Sequence, residues 1–149
     1  MSIDFQYFTA PYAIEVHDNI IRESGGFMGI KDEGFIDSIL FHMQNELYYP
    51  DIEHKITHLL FSFNKNHCFS DGNKRASLAL SLYFLTINGL DFLVDKFTVE
   101  LENIVVDVAN NLVDKDLLFE IISSLIYEED YSEELKLKII HAKTANREI

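Results

Sequence analysis

The run HCFSDGNKRASLALSLYFLTING, residues 67–89, sets two compositions side by side. Residues 67–72 are small or polar and read as a loop. Residues 73–88 are apolar on nearly every side, through Ala76, Leu78, Ala79, Leu80, Leu82, Tyr83, Phe84 and Leu85. A helix apolar all round belongs at the centre of a helical domain. Asn88-Gly89 supplies its C-terminal stop.

Outward from this run the dominant period is helical, so the fold class is all-α. Residues 11–24 carry a stripe of Ile14, Val16, Ile20 and Ile21, with Pro11 in the first turn and Gly25-Gly26 at the end. The three glycines of Gly25-Gly26-Phe27-Met28-Gly29-Ile30 point to a turn or small hairpin. A helix over 33–44 turns Phe35, Ile36, Ile39, Leu40 and Met43 inward. Pro50 marks a boundary, after which Asp51 caps a helix ending near Asn66 with Ile52, Ile56, Leu59, Leu60 and Phe63. Further helices are expected over 98–111, 116–126 and 132–143, capped by Thr98, Asp116 and Ser132. The tail 144–149 reads as frayed. No repeat or low-complexity segment interrupts the chain.

The 149 residues are 48% hydrophobic, with Gly 6 and Pro 2, and no Pro/Gly/Ser-rich linker divides them. A single domain over 1–149 follows. Twelve basic against 25 acidic residues give a formal charge of -13, which repels nucleic acid and anionic membrane. One cysteine, Cys68, excludes an internal disulfide and a Cys-based zinc site. Met1-Ser2-Ile3-Asp4-Phe5 lacks the features of a signal peptide, and no 18-residue apolar stretch exists, so a cytoplasmic protein is expected.

Against so negative a chain, Lys74-Arg75 is a local cationic cluster at the start of a helix. The first N–H groups of a helix lack internal partners and carry partial positive charge, so a phosphate suits that end. Gly72 leaves room for the anion. Lys74 and Arg75 add cationic donors, the latter as a fork matched to phosphate oxygens. Asp71 is a reasonable ligand for Mg²⁺, which takes one or two carboxylates with phosphate oxygens and water. His67, at the start of the loop, suits proton transfer near neutral pH and can take the proton from an incoming hydroxyl. Phe69 points inward and anchors the loop. Cys68 reads as a small buried hydrophobe, since no base accompanies it. His54 and His58 share a helix face but lack a carboxylate partner in the motif. His17, His42 and His141 join no close metal triad, and the aromatic excess of Phe 12 and Tyr 7 is core packing.

The nine residues His67-Cys68-Phe69-Ser70-Asp71-Gly72-Asn73-Lys74-Arg75 resemble the signature of the Fic/Doc family. The likeness extends to residues 26–40 and 84–89 and covers roughly residues 5–125. The resemblance implies an all-α bundle with a short β-hairpin flap that positions the target segment. Gly26, Phe27 and Gly29 are candidates for that flap. It implies His67 as the base, Asp71 as the Mg²⁺ ligand, and Gly72, Asn73, Lys74 and Arg75 as the phosphate cradle for ATP. AMP-transferring members carry glycine where this chain has Lys74, and a second arginine where it has Leu78. The Doc branch has the lysine and lacks that arginine. It resembles kinases that phosphorylate a threonine of elongation factor Tu, a translation factor, and its members are toxins held by a separate antitoxin protein. AMP transfer and a non-catalytic peptide-binding role are the alternatives. In detail, Cys68 replaces a frequent proline, and Gly72 stands where some Doc proteins have alanine. Self-inhibiting members carry Ser/Thr-x-x-x-Glu-Gly/Asn, whose letters recur at Thr98–Asn103; here they read mainly as part of an amphipathic helix.

Overall fold

Helix α1, Ala10–Ser24, begins at Thr9, whose hydroxyl accepts from the Tyr12 amide. The computed structural model describes residues 4–144, and α2 follows as Glu33–His42, capped by Asp32. Next come α3, Ile52–Lys65, and α4, Asn73–Ile87. A 3-10 turn, Asp91–Leu93, leads into α5, Val94–Ala109. Helices α6, Lys115–Tyr127, and α7, Glu133–Thr144, complete the described chain. Among the described residues there is no sheet, and no helix is long and apolar enough to cross a membrane. The fold is all-α. Residues 145–149 of the tail read as frayed lie outside the described residues, as do residues 1–3.

Helices α3 and α4 form an antiparallel pair at the centre. Helix α4 also packs on α1 and α5, and α3 on α2, α5 and α6. The apolar faces of all of them meet in one continuous core that includes Ile36, Ile56, Leu60, Phe63, Leu80, Phe84, Leu101 and Ile122. The all-round apolar character of α4 marked it alone as central, but α3 is at least as buried. Its interior face carries Lys55, Thr57, His58, Ser62 and Asn64, which sequence composition assigns to solvent. Each makes at least one hydrogen bond, as buried polar groups tend to, although Asn64 Oδ1 has none. Lys55 Nζ donates to the Met43 carbonyl at 2.9 Å and lies 5.1 Å and 5.6 Å from the ring centroids of Phe5 and Tyr7. Thr57 donates to Glu53 O, and Asn64 Nδ2 to Val105 O. His58 Nε2 donates to Ile39 O at 3.1 Å while Ser62 Oγ lies 3.4 Å from Nδ1.

Three helix starts and ends differ from the sequence reading. Helix α5 begins at Val94, so Thr98 is no cap; its hydroxyl donates back to Val94 O at 2.8 Å. The 3-10 turn feeds α5 directly, without a capping side chain to announce it. Helix α6 is capped by Asp114, which accepts from the Leu117 amide at 2.8 Å, in place of Asp116. Helix α2 stops at His42. The N-terminal segment is held by Asn88, the C-cap of α4: its side chain bonds both the amide and the carbonyl of Gln6.

Burial pushes the His58 imidazole down from 6.5 to about 4, against a raising effect of its bond to Ile39. An unfolded chain therefore takes up a proton between those values that the folded chain refuses. Stability falls as pH drops through this window. His58→Gln, which retains a donor towards Ile39, is expected to flatten this part of the curve by up to about 3 kcal/mol. Urea unfolding of both proteins at pH 7 and pH 4.5 measures it, and parallel slopes contradict it.

Candidate active site

The chain leaves α3 through Asn66 and turns at His67, which adopts φ 49, a left-handed conformation usually filled by glycine. That conformation ends the helix and leaves the His67 side chain exposed. The next two residues go the other way: Cys68 and Phe69 are buried. Burial, aided by the charge of Asp32, pushes the Cys68 thiol up to about 11, so it is no thiolate near neutral pH.

The backbone of this loop is hydrogen-bonded on both sides. Cys68 O accepts from the amides of Lys31 (2.8 Å) and Asp32 (3.1 Å), and the Ser70 amide donates to Gly29 O (3.0 Å). Ile30 and Phe69 form an isolated antiparallel bridge. The hairpin expected over residues 25–30 is thus not formed among the described residues. Glycine-rich backbone runs extended along the motif loop and bonds to it in place of itself. Gly26, Phe27 and Gly29 sit against Asp71 and Ser70 through this pairing.

Asn73 closes the loop from within. Its Oδ1 accepts from the Phe69 amide (3.1 Å) and its Nδ2 donates to Phe69 O (3.0 Å). Its side chain is therefore committed to the loop, and only its backbone N–H remains for an anion. The cap residue of α4 is Gly72, at φ 79, and no side chain caps this end. The first-turn amides therefore have no side-chain partner, as an anion-binding helix start requires. Lys74 is exposed. Arg75 Nη1 donates to Ser24 Oγ (2.6 Å) and Gly25 O (3.0 Å), which steadies the guanidinium and leaves its other donors for a ligand.

Asp71 Oδ1 accepts from the Gly72 amide (2.8 Å) and Oδ2 from the Phe27 amide (3.1 Å). These two bonds, Phe27 first, hold its carboxyl below the usual carboxylate range, with Arg75 adding to them. His67, Ser70, Asp71, Gly72, Asn73, Lys74 and Arg75 line one cleft of about 270 Å³, bordered by Asn64 and by Ala109 at the end of α5. Asp71 is the single carboxylate of that lining. One carboxylate beside a phosphate-binding helix start suits Mg²⁺, which completes its shell with phosphate oxygens and water. Leu78 packs against the core.

Two features are missing from the sequence reading. The first is His17 of α1, wholly buried, whose Nε2 lies 2.6 Å from Asp71 O. A carbonyl only accepts, so Nε2 carries the proton. The ring stacks on Phe69 at 3.8 Å and 4°. The signal was present: the buried residues of α1 are Ala13, His17 and Ile21, one face at four-residue spacing, and a histidine occupies it. The second is the end of α5, whose carbonyls receive Asn64 Nδ2 (Val105 O, 2.9 Å) and Lys65 Nζ (Val108 O, 3.4 Å). Nothing local to residues 67–75 announces either.

Elsewhere, His58 is committed to Ile39 and Ser62, so it forms no metal pair with His54. His54 instead groups with Asp51 and Glu53 at the start of α3, with ligand atoms within 4.8 Å of one another. Asp51 there caps α3, and Glu53 accepts from Tyr127. That group lies a helix length, about 20 Å, from the loop that follows α3. Glu102 and Thr98 lie on the far side of α5 from its cleft-bordering end in sequence, about two turns or more from Ala109.

A Fic/DOC family model matches residues 7–85. The chain is 33% identical over 96 residues to Toxin Doc of Mycolicibacterium smegmatis, a stretch covering 62% of this chain and 74% of that protein. It is 35% identical over 81 residues to Protein kinase doc of Escherichia phage P1, covering 52% of this chain and 64% of that protein.

The close approach of the glycine segment to Asp71 is testable. A Cβ at Gly26 (φ 125) would lie 2.6 Å from Asp71 Oδ2 and 2.9 Å from Ile21 Cδ1. Asp71 is short and held by two amides, so it cannot swing aside without losing them. Gly26→Ala is expected to destabilise the protein by about 1–3 kcal/mol. Gly25→Ala, with open space around its Cβ, incurs only the backbone strain of φ 87, ψ 165, about 1 kcal/mol or more, and is expected to lose less than Gly26→Ala. Denaturant midpoints of the two variants make the comparison.

Proposed function

Because the chain belongs to the Fic/DOC family, we propose that it is a Doc-like toxin that moves the terminal phosphoryl group of ATP onto a protein. The acceptor in this reading is a serine or threonine hydroxyl of a translation factor of the elongation factor Tu kind, in the cytoplasm. An antitoxin protein restrains it.

The observation that carries the reading is the uncapped start of α4. Its free amides, Lys74 and Arg75 converge on the cleft that His67 also borders. These groups bind the polyphosphate and hold charge that develops on the transferred group. His67 takes the proton of the incoming hydroxyl as its oxygen bonds the γ-phosphorus. The bond to the bridging oxygen breaks and ADP leaves. Asp71 would hold Mg²⁺, which supplies neutralising charge to the phosphate oxygens. The Ile30–Phe69 bridge supports a role for the glycine segment beside the acceptor peptide, since it places exposed Phe27 and Met28 next to the motif.

Two further facts favour phosphoryl over AMP transfer. Lys74 is present, and a half-buried Leu78 packs against the core where AMP-transferring relatives carry an arginine. The name of the phage P1 relative, Protein kinase doc, points the same way. Toxin Doc is the name of the other relative and supports the toxin and antitoxin part of the reading.

Incubation with a bacterial lysate and ATP, followed by mass spectrometry of modified proteins, tests it. A gain of about 80 Da is expected, and a gain of about 329 Da replaces the reading with AMP transfer. His67→Ala is expected to lower the rate by about 10²–10⁴-fold and to relieve growth arrest on expression. Undiminished arrest by that variant counts against catalysis.

A further inference from the structure

A nucleotide site needs its binding groups held in fixed directions. Residues 67–75 do not do it alone. The peptide joining Asp71 to Gly72 is trans and planar, so its carbonyl and its N–H point to opposite sides. Whatever holds the carbonyl therefore also aims the amide. The carbonyl is held by His17 Nε2 at 2.6 Å. The amide, on the other side of the same plane, meets Asp71 Oδ1 at 2.8 Å. One bond from α1 thus sets both the Gly72 amide and the carboxylate it steadies.

The imidazole itself has little freedom. It is wholly buried. Its Nδ1 lies 3.1 Å from Asp18 Oδ1. Its face lies on the Phe69 ring at 3.8 Å, and Phe69 in turn stacks on Phe63 of α3 at 6.5 Å. Asp71-Gly72 is also a place where the peptide could turn over. Gly72 is a glycine at φ 79, and glycine has the widest choice of backbone conformations.

We propose that His17 is a positioning residue of the active site: by holding the Asp71 carbonyl against α1, it fixes the Asp71–Gly72 peptide plane and so the groups that face phosphate and metal. The inference rests on the nucleotide reading given above. It adds a requirement for a donor at residue 17, fifty-four positions before the residue it serves. The stack on Phe69 sets where that donor sits, and the donor sets the plane.

Two variants separate the parts. His17→Phe keeps the ring on Phe69 and removes the donor. His17→Gln keeps a donor and gives up the ring. Hydrogen exchange of the Gly72 amide, measured on the folded proteins without nucleotide, reads the plane directly. His17→Phe is expected to speed it by about tenfold or more relative to core amides of α3 and α4, as loss of a hydrogen bond does. His17→Gln is expected to restore most of the protection. Calorimetric titration with ATP and Mg²⁺ should follow the same order, with His17→Phe weakened about tenfold and His17→Gln nearer the native protein. Native Gly72 exchange in a folded His17→Phe protein overturns the proposal. So does equal loss in both variants, which is the mark of a merely structural histidine. Failure of the native protein to bind ATP overturns the nucleotide reading instead, and the exchange measurement still decides the role of His17.

Discussion

The side-chain amide of Asn73 both donates to and accepts from the backbone of Phe69, four residues earlier. Loops between packed helices must find partners for every buried amide and carbonyl, and this clamp meets that demand from the loop's own helix. Three consequences follow. Phe69 is drawn inward, where it stacks on His17 and Phe63. With the amide and carbonyl of Phe69 taken by Asn73, the flanking Cys68 carbonyl and Ser70 amide bond the glycine segment and set Ile30 opposite Phe69. Asn73 is thereby committed to the loop, and the cap position before it is Gly72, which has no side chain, so the start of α4 stays open to a ligand. A residue that serves structure thus creates the vacancy that chemistry uses.

The centre of the molecule reaches the same end by a different route. Helix α3 carries a lysine, a threonine, a histidine, a serine and an asparagine at positions shielded from water. Each hydrogen bond adds only about 1 kcal/mol net, but an unmet partner costs more than a met one gives. Such a set ties the helix to particular neighbours: Lys55 reaches the Met43 carbonyl, Glu46 and the rings of Phe5 and Tyr7. Asn64 and Lys65 extend this polar line to the end of α5. Helix α3 is thereby held by its neighbours from Lys55 to Lys65, close to the point from which His67 emerges.

Much of this was legible before the structure. Periodicity gave seven helices, because apolar spacing is a local property, but two inner faces shifted: α1 buries Ala13, His17 and Ile21, with Ile14, Val16 and Ile20 only half-buried, and Phe35 of α2 is exposed. The motif was legible because Gly72, Lys74 and Arg75 stand together against a chain of -13. What stayed hidden depends on distance in the chain. His17 reads as one more polar residue on α1 until Asp71 and Phe69 are brought to it. The interior of α3 reads as a wet face until Met43, Ile39 and Val105 supply partners. The hairpin failed for a related reason: three glycines signal a bend, but whether the bent backbone pairs with itself or with another segment is a tertiary choice. Here Cys68–Ser70 offered the better edge. Starts were misplaced by a few residues at α5, which follows a 3-10 turn with no capping side chain, and at α6, where Asp114 serves in place of Asp116.

Helices α4 and α5 meet the cleft by opposite ends. The first residues of α4 and the last of α5, Ala109, border the same space. The α4 end is the positive pole of its peptide dipoles, and the α5 end is a negative pole. Lys65 blunts the latter by donating to Val108 O, and it also reaches Asn111 Oδ1. The cleft therefore has a polarity of its own. A symmetric anion would gain only from one side of it. An elongated ligand, anionic at one end and neutral or hydrogen-donating at the other, has a single favoured heading along that gradient, and two opposed helix termini act on it as a compass.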